Sequence, residues 1–279
     1  MVLLIYLYLA EMLCLVIAVC MALLHCAALA DCSLPVPALD AGVWRSRWEE
    51  FNAQGRKLLR EEGALQTQGL SLDSDCGAMH WTGRISQVKG WRNYDGVSST
   101  DMPLQTNSKI EQQQARLVVL REVAEAWSLG ASLGYRRIQR DIAGVGRVEG
   151  YPERFDDWQA AAGLRYALAD WQGLKVVAEA WLGAGPKGSM LLRLPHADPA
   201  TLRLGPSRMA QLGLQVSGKL AGGLADRWGW QLRLEQVAER FAAGAGQAIF
   251  RNGILIGGAA QPEIHQSALS LLGVMRYSF

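Results

Sequence analysis

Beyond residue 30 the sequence has no run approaching the roughly twenty continuous apolar residues that a membrane-spanning helix requires. Any later contact with a membrane must therefore be made by strands. Charge of one sign is also missing: 28 Lys and Arg stand against 26 Asp and Glu, for a formal net charge of +2 without a basic cluster. That balance argues against nucleic acid as a partner. Prolines are few, nine in 279 residues, whereas glycines number 30, as suits a chain with many turns and closely packed strands. No metal-ligand cluster, phosphate-cradling glycine loop or nucleophile elbow occurs, so no metal and no cofactor is expected. Cysteine is scarce, and only Cys32 and Cys76 follow residue 30.

What the chain does have begins with hydrocarbon. Residues 1–30 are broken only by Glu11 and His25 and end in Ala28-Leu29-Ala30 before Asp31. This small-x-small pattern predicts a cleaved signal peptide over 1–30, with the mature chain starting at Asp31. No Lys or Arg precedes Arg45, so the usual basic start is missing, and Met12 and Met21 are alternative beginnings. The competing reading is an uncleaved helix, long enough to cross a roughly 30 Å hydrocarbon core. Residues 31–42 are expected to form a periplasmic N-terminal segment, and 43–279 a single domain.

Period-2 alternation recurs along that domain. The clearest case is Trp127 to Gln139, where Trp127, Leu129, Ala131, Leu133 and Tyr135 face one way and Ser128, Gly130, Ser132, Gly134 and Arg136 the other. An apolar row with an aromatic at each end, backed by small and charged residues, is the pattern of a strand crossing a bilayer between two interfaces. Trp158 to Leu168 repeats it, and weaker versions cover Val43 to Ala53, Ala64 to Leu72, Met79 to Lys89, Ser108 to Ala124, Leu174 to Gly183, Gln211 to Lys219 and Trp228 to Glu235. Short connections such as Glu125-Ala126 alternate with long ones, Gly90 to Asn107, Asp141 to Phe155, Ala184 to Ser207 and Ala242 to Glu263, as two unlike barrel rims require. About ten antiparallel strands are expected, with eight or twelve possible. Twelve would result if Ile249 to Ile256, read as a hairpin turning at Asn252-Gly253, crossed the membrane instead.

The last strand, Gln266 to Phe279, puts Leu269, Leu271, Met275, Tyr277 and Phe279 on one face and Ser270, Arg276 and Ser278 on the other. A period-2 strand reaching the chain end, with Tyr277 two before a terminal Phe279, resembles the closing strand of small Gram-negative outer-membrane β-barrel proteins. The resemblance implies an all-β, closed antiparallel transmembrane barrel in the outer membrane. Its partners would be outer-membrane lipid and the barrel-assembly machinery, which in that family reads the terminal aromatic, here Tyr277 and Phe279, as a signal.

Strand number limits function, because lumen width grows with it and water-filled porins need about sixteen. Ten strands lined by Arg136, Arg165, Glu179, Arg233, Glu235 and Arg276 should hold a crowded, salt-bridged plug, with mutual neutralisation favoured over a selectivity filter. Some small outer-membrane barrels are enzymes. Similarity to omptin-like proteases would need acidic and Asp/His pairs at the outer rim, for which Asp156-Asp157 and His196 with Asp198 are the available residues. Their order and surroundings do not match, Pro195 and Pro199 read equally as loop punctuation, and no catalytic residue is assigned. His80 and His265 lie on or near strand ends, where interfacial packing explains each as well as chemistry does. Trp91, Tyr94, Tyr151, Phe155 and Phe250 fall on expected loops, which suits binding of an unknown surface ligand. The expected role is a scaffold or surface-binding protein, with a rim hydrolase or a narrow channel as alternatives. Cys32 and Cys76 both fall on the expected periplasmic side, where a disulfide would form. The rival is lipidation of Cys32, since Leu29-Ala30-Asp31-Cys32 resembles a lipobox.

Overall fold

The computed structural model describes residues 32–97, 102–186, 188–220 and 227–278. The expected signal peptide, Asp31 and Phe279 lie outside them. Among the described residues the regular structure is all strand: β1 (Val36–Phe51), β2 (Lys57–Cys76), β3 (Met79–Val97), β4 (Pro103–Ala124), β5 (Trp127–Ile142), β6 (Tyr151–Trp171), β7 (Leu174–Gly185), β8 (Ser189–Leu192), β9 (Ala200–Arg203), β10 (Ser207–Lys219), β11 (Trp228–Phe241), β12 (Gln247–Arg251), β13 (Ile254–Ala259) and β14 (Glu263–Tyr277). Ten of these close into an antiparallel ring in the order β1 to β7, β10, β11, β14, with β14 returning to β1. β8 pairs with the start of β6, Glu153 to Asp156, and carries β9. β12 and β13 make a separate hairpin, turning at Asn252 and Gly253, both at positive φ as a tight two-residue turn demands.

The register fixes the shape. Tracing hydrogen-bonded partners round the ring from Pro37, through Leu133 and Arg208, returns to β1 at Glu49, twelve residues higher. With strands about 4.8 Å apart and a rise of about 3.4 Å per residue, that climb gives a tilt of about 40° and a backbone radius of about 10 Å. The outward row of β5, Trp127 to Tyr135, then spans about 21 Å along the barrel axis, close to the roughly 25 Å apolar band of a membrane barrel.

The outer surface is built to match. Leu129 and Leu133 are 51% and 53% exposed and Leu182 is 73% exposed, which a water-soluble sheet would bury. Aromatic pairs mark both edges of the belt: Trp127 with Tyr166 and Trp228 with Tyr277 at the end carrying the chain termini, Tyr135 with Trp158 at the other, ring centroids 4.5 to 5.1 Å apart. The two-residue turns 77–78, 125–126 and 172–173 lie at the terminal end together with the eight-residue connection 220–227, whereas the opposite, outer end carries 52–56, 98–102 and 143–150 and the two longest connections, 186–206 and 242–262.

Several strands run well beyond their expected limits. β1 starts at Val36, so most of the expected N-terminal segment 31–42 is barrel wall. Asp40, which breaks the apolar run there, points inward to Arg84. At the outer end the connections expected over Gly90 to Asn107 and Asp141 to Phe155 shrink to 98–102 and 143–150. There the outward face is polar because it stands in water, and the inward face carries charges, so hydropathy does not alternate. Tyr94 and Phe155, expected on loops, are buried strand residues, and Trp91 is a strand residue 58% exposed.

Inside the outer end sits an apolar core. Trp48, Leu59, Ile110, Ile138, Phe155, Phe241 and Ile264 from the wall pack with Met190, Leu192, Leu202 and Leu204 from the β8–β9 segment. The chain therefore seals one end of its own lumen with side chains it would otherwise expose.

Candidate functional site

The lumen is layered. At the mouth that carries the chain termini a disulfide joins Cys32 to Cys76, and Ser33 forms a backbone bond to Asp75, tying the N-terminal end of the described chain to the foot of β2. Just inside, His80 Nδ1 lies 2.7 Å from Asp75, and the Thr82 hydroxyl donates to Asp73 at 2.6 Å. Arg276 donates to Gln231 at 2.7 Å and lies 3.7 Å from Asp73.

In the next layer Arg165 reaches Glu179 at 2.7 Å, Gln215 donates to the same carboxylate at 2.8 Å, and Arg233 stands 3.6 Å from Glu235. Arg84 grips Asp40 with two bonds of 2.7 and 2.9 Å. Arg116 is different: it donates to neutral groups, Gln211 at 2.9 Å and Ser132 at 3.2 Å.

Above it lies a cavity of about 100 Å³. Five inward glutamines, Gln112, Gln114, Gln159, Gln211 and Gln266, share its wall with Ser86, Ser132 and Ser270. A polar chamber of this size suits several ordered waters, each satisfying two to four such groups. Arg136 closes its upper side through paired bonds to Asp157, both 3.0 Å, and to Glu239 at 2.8 and 3.0 Å.

The outermost layer stands above the apolar belt. Arg140 reaches Glu50 at 2.8 Å, Glu153 at 2.7 Å and Glu61 at 3.6 Å, while Arg92 lies 3.5 Å from Glu61 and donates to Ser46 at 2.7 Å. Trp48 donates to Glu50 at 2.8 Å. Three carboxylates thus share two guanidiniums in a site closed to water. Burial, opposed by Arg140 and reinforced by Glu50, pushes the Glu153 carboxyl up to about 7.

Each expected lumen charge faces inward, and the structure gives each an ionic neighbour: Arg136, Arg165, Glu179, Arg233, Glu235 and Arg276 all lie within 4 Å of an opposite charge. The outer network of Glu50, Glu61, Arg92, Arg140 and Glu153 was not foreseen: Glu61, Arg92 and Glu153 sit on strand extensions that read as connections, Arg140 follows the end of an expected strand, and Glu50, on the expected strand Val43 to Ala53, meets partners distant in sequence. The alternate spacing of Glu50 with Trp48, and of Arg140 with Arg136, was the available signal.

The residues considered for a rim hydrolase do not assemble. As neighbours on one strand, Asp156 and Asp157 point to opposite faces: Asp156 accepts from Tyr135 and Arg137 outside, while Asp157 holds Arg136 inside. His196 lies 3.3 Å from Glu149, and Asp198 accepts the backbone N–H groups of Asn252 and Gly253, both at 3.1 Å, bracing the β12–β13 turn. His265 bonds Glu263 on the outer face. Among the described residues no group of three or more His, Cys, Asp or Glu is placed to hold a metal ion.

No protein-family model and no curated protein sequence matches the chain. Solved structures do. The outer membrane protease OmpT from Escherichia coli aligns over 88% of this chain and 97% of its own, at 10% identity and a TM-score of 0.51. The translocator domain of the autotransporter NalP from Neisseria meningitidis aligns over 88% and 90%, at 13% identity and a TM-score of 0.44. The beta domain of the Bordetella autotransporter BrkA aligns over 88% and 100%, at 15% identity and a TM-score of 0.42. At 10% identity the likeness to OmpT is one of fold: a Gram-negative outer-membrane β-barrel.

Proposed function

We propose that this protein is an integral outer-membrane scaffold that acts at the cell surface through its outer rim. It is exported by a cleaved signal peptide and inserted by the barrel-assembly machinery reading the strand that ends in Tyr277 and Phe279. The observation that carries this reading is the closure of the lumen's outer end, where the apolar core under β8 and β9 and the Arg140 network leave solutes no evident route. A transport role has little to work with, and the rim residues considered for hydrolysis are engaged in structural bonds.

What the outer rim does offer is the β12–β13 hairpin. Ile254, Leu255 and Ile256 are 70%, 63% and 47% exposed on a hairpin held in place by Asp198. Exposed apolar side chains on a braced two-stranded element suit capture of a partner, and loops on a rigid scaffold are where binding usually sits.

Orientation and address are tested together by cysteine labelling on intact cells with a membrane-impermeant maleimide. Leu255→Cys should be labelled, whereas Gln172→Cys, in a periplasmic turn, should react only after the outer membrane is opened. The reverse pattern would overturn the reading. Turnover of peptide or lipid substrates by the refolded protein would favour the hydrolase alternative.

A further inference from the structure

Basic residues line the upper edge of the apolar belt, and their company differs from one side to another. On β5 and β6 the outward Arg137 and Arg154 both reach Asp156, at 2.7 and 3.0 Å. Further round the ring, Arg208 of β10 and Arg240 of β11 are direct cross-strand partners on the exposed face. Like charges directly opposite across a strand pair are destabilising unless something negative lies between them. Arg240 reaches Glu263 at 2.7 Å, but Arg208 has no ion pair among the described residues.

The surface beneath them is hollow. In the row just below, Leu182, Ala210, Ala238, Ser267 and Arg47 follow one another as cross-strand partners over β7, β10, β11, β14 and β1. The small side chains of Ala210, Ala238 and Ser267 leave an outward groove of about 550 Å³, bordered by Arg47, Arg208, Arg240 and His265. The one outward carboxylate on its border, Glu49, is held by Lys57 at 2.6 Å. The groove has a cationic upper edge at the interface and an apolar floor that continues into the belt. Free phosphate would have no use for that floor.

We propose that this groove binds a phosphate-bearing lipid of the outer leaflet, its phosphate bridging Arg208 and Arg240 and its acyl chains lying along Leu182, Ala210 and Ala238. Guanidinium groups bind phosphate through paired, charge-assisted hydrogen bonds, and a bridging phosphate turns the repulsion between the two arginines into a shared attraction. The proposal rests on the reading of the chain as an outer-membrane barrel with its long connections outward.

The test uses the full-length barrel refolded in phosphatidylcholine nanodiscs and titrated with lipid A, with native mass spectrometry counting bound lipid. Wild type should retain one lipid A, and Arg208→Gln/Arg240→Gln should bind it roughly tenfold more weakly, as expected for loss of two charge-assisted contacts. Arg154→Gln, whose partner lies outside the groove, should bind as wild type does, as should Arg208→Lys/Arg240→Lys to within a few-fold. Lipid A stripped of its phosphates should bind as weakly to wild type as intact lipid A does to the double Gln variant, and millimolar inorganic phosphate should not compete. Equal retention by wild type and the double Gln variant, both showing the gel mobility shift of a folded barrel, would overturn this proposal alone. A wild-type chain that gives no such shift would overturn the barrel reading and this proposal with it.

Discussion

The indole of Trp181 on β7 packs over Gly163, its direct partner on β6, so closely that a β-carbon on the glycine would stand 2.3 Å from the ring. Gly130, the partner of Gly163 on β5, gives the same ring a second gap, where a β-carbon would come within 2.6 Å. Arg116 covers the indole, its guanidinium 5.2 Å from the ring centroid. The two glycines hollow the inner wall so that one large side chain can fill a lumen only about 10 Å in backbone radius. Gly163→Val should therefore force the indole out and cost about 1 to 3 kcal/mol, whereas Ala162→Val, on the lipid face, should be near neutral. Denaturant titration of the refolded variants compares them.

The inside-outside assignment makes a sharper demand. Ala131 faces outward in the middle of the β5 belt row, between Leu129 and Leu133. Ala131→Arg should cost about 2 to 4 kcal/mol, because hydrocarbon offers the charge neither water nor a partner, and Ala131→Leu should cost almost nothing. A soluble protein with that face exposed to water would accept the arginine readily.

The Cys32–Cys76 bond lies below the ring and fastens only the segment ahead of β1. Non-reducing peptide mapping should recover the linked pair, with Cys32 free of lipid. Cys76→Ser should leave the barrel's unfolding midpoint almost unchanged while exposing the residues around Ser33 to protease. A diacylglyceryl mass on Cys32 would contradict the linkage.

One carboxyl of the outer network, that of Glu153, makes stability depend on pH. The Glu153 carboxyl is raised from an ordinary 4.5 to about 7 by burial, so the folded protein holds this proton more tightly than the unfolded chain does. The resulting stabilisation is complete below about 4.5 and disappears as pH rises through about 7. The thermal midpoint should fall between pH 5 and pH 9, and Glu153→Gln, which keeps an uncharged partner beside Arg140, should flatten that dependence. A midpoint that rises over the same range would contradict the assignment.

Where lipid imposes a period, the sequence was legible. Trp127 to Tyr135 and Trp158 to Tyr166 carry their facing in alternate residues, and in the structure they are outward rows of neighbouring strands. The lumen charges were legible for the same reason, since an inward residue in such a row has only other inward residues to meet. Above the belt water wets the outer face, so Lys89 and Asp95 alternate with Arg92 and Tyr94 without an apolar period, and a strand there looks like a loop. Partners distant in sequence, such as Arg136 with Glu239 or Trp48 with Phe155, follow from ring closure and not from spacing. The pairing of β8 and β9 over the outer end is of that kind too, because four-residue strands leave almost no pattern to read.

Sealing of the lumen is most directly tested by conductance. Refolded wild-type protein added to a planar bilayer in concentrated potassium chloride should give no stepwise, ohmic current, because the apolar core around Trp48 and Ile110, the β8–β9 cover and the Arg136 and Arg140 networks block the outer half. Reproducible unit steps that persist at both polarities would contradict the account and make the protein a channel.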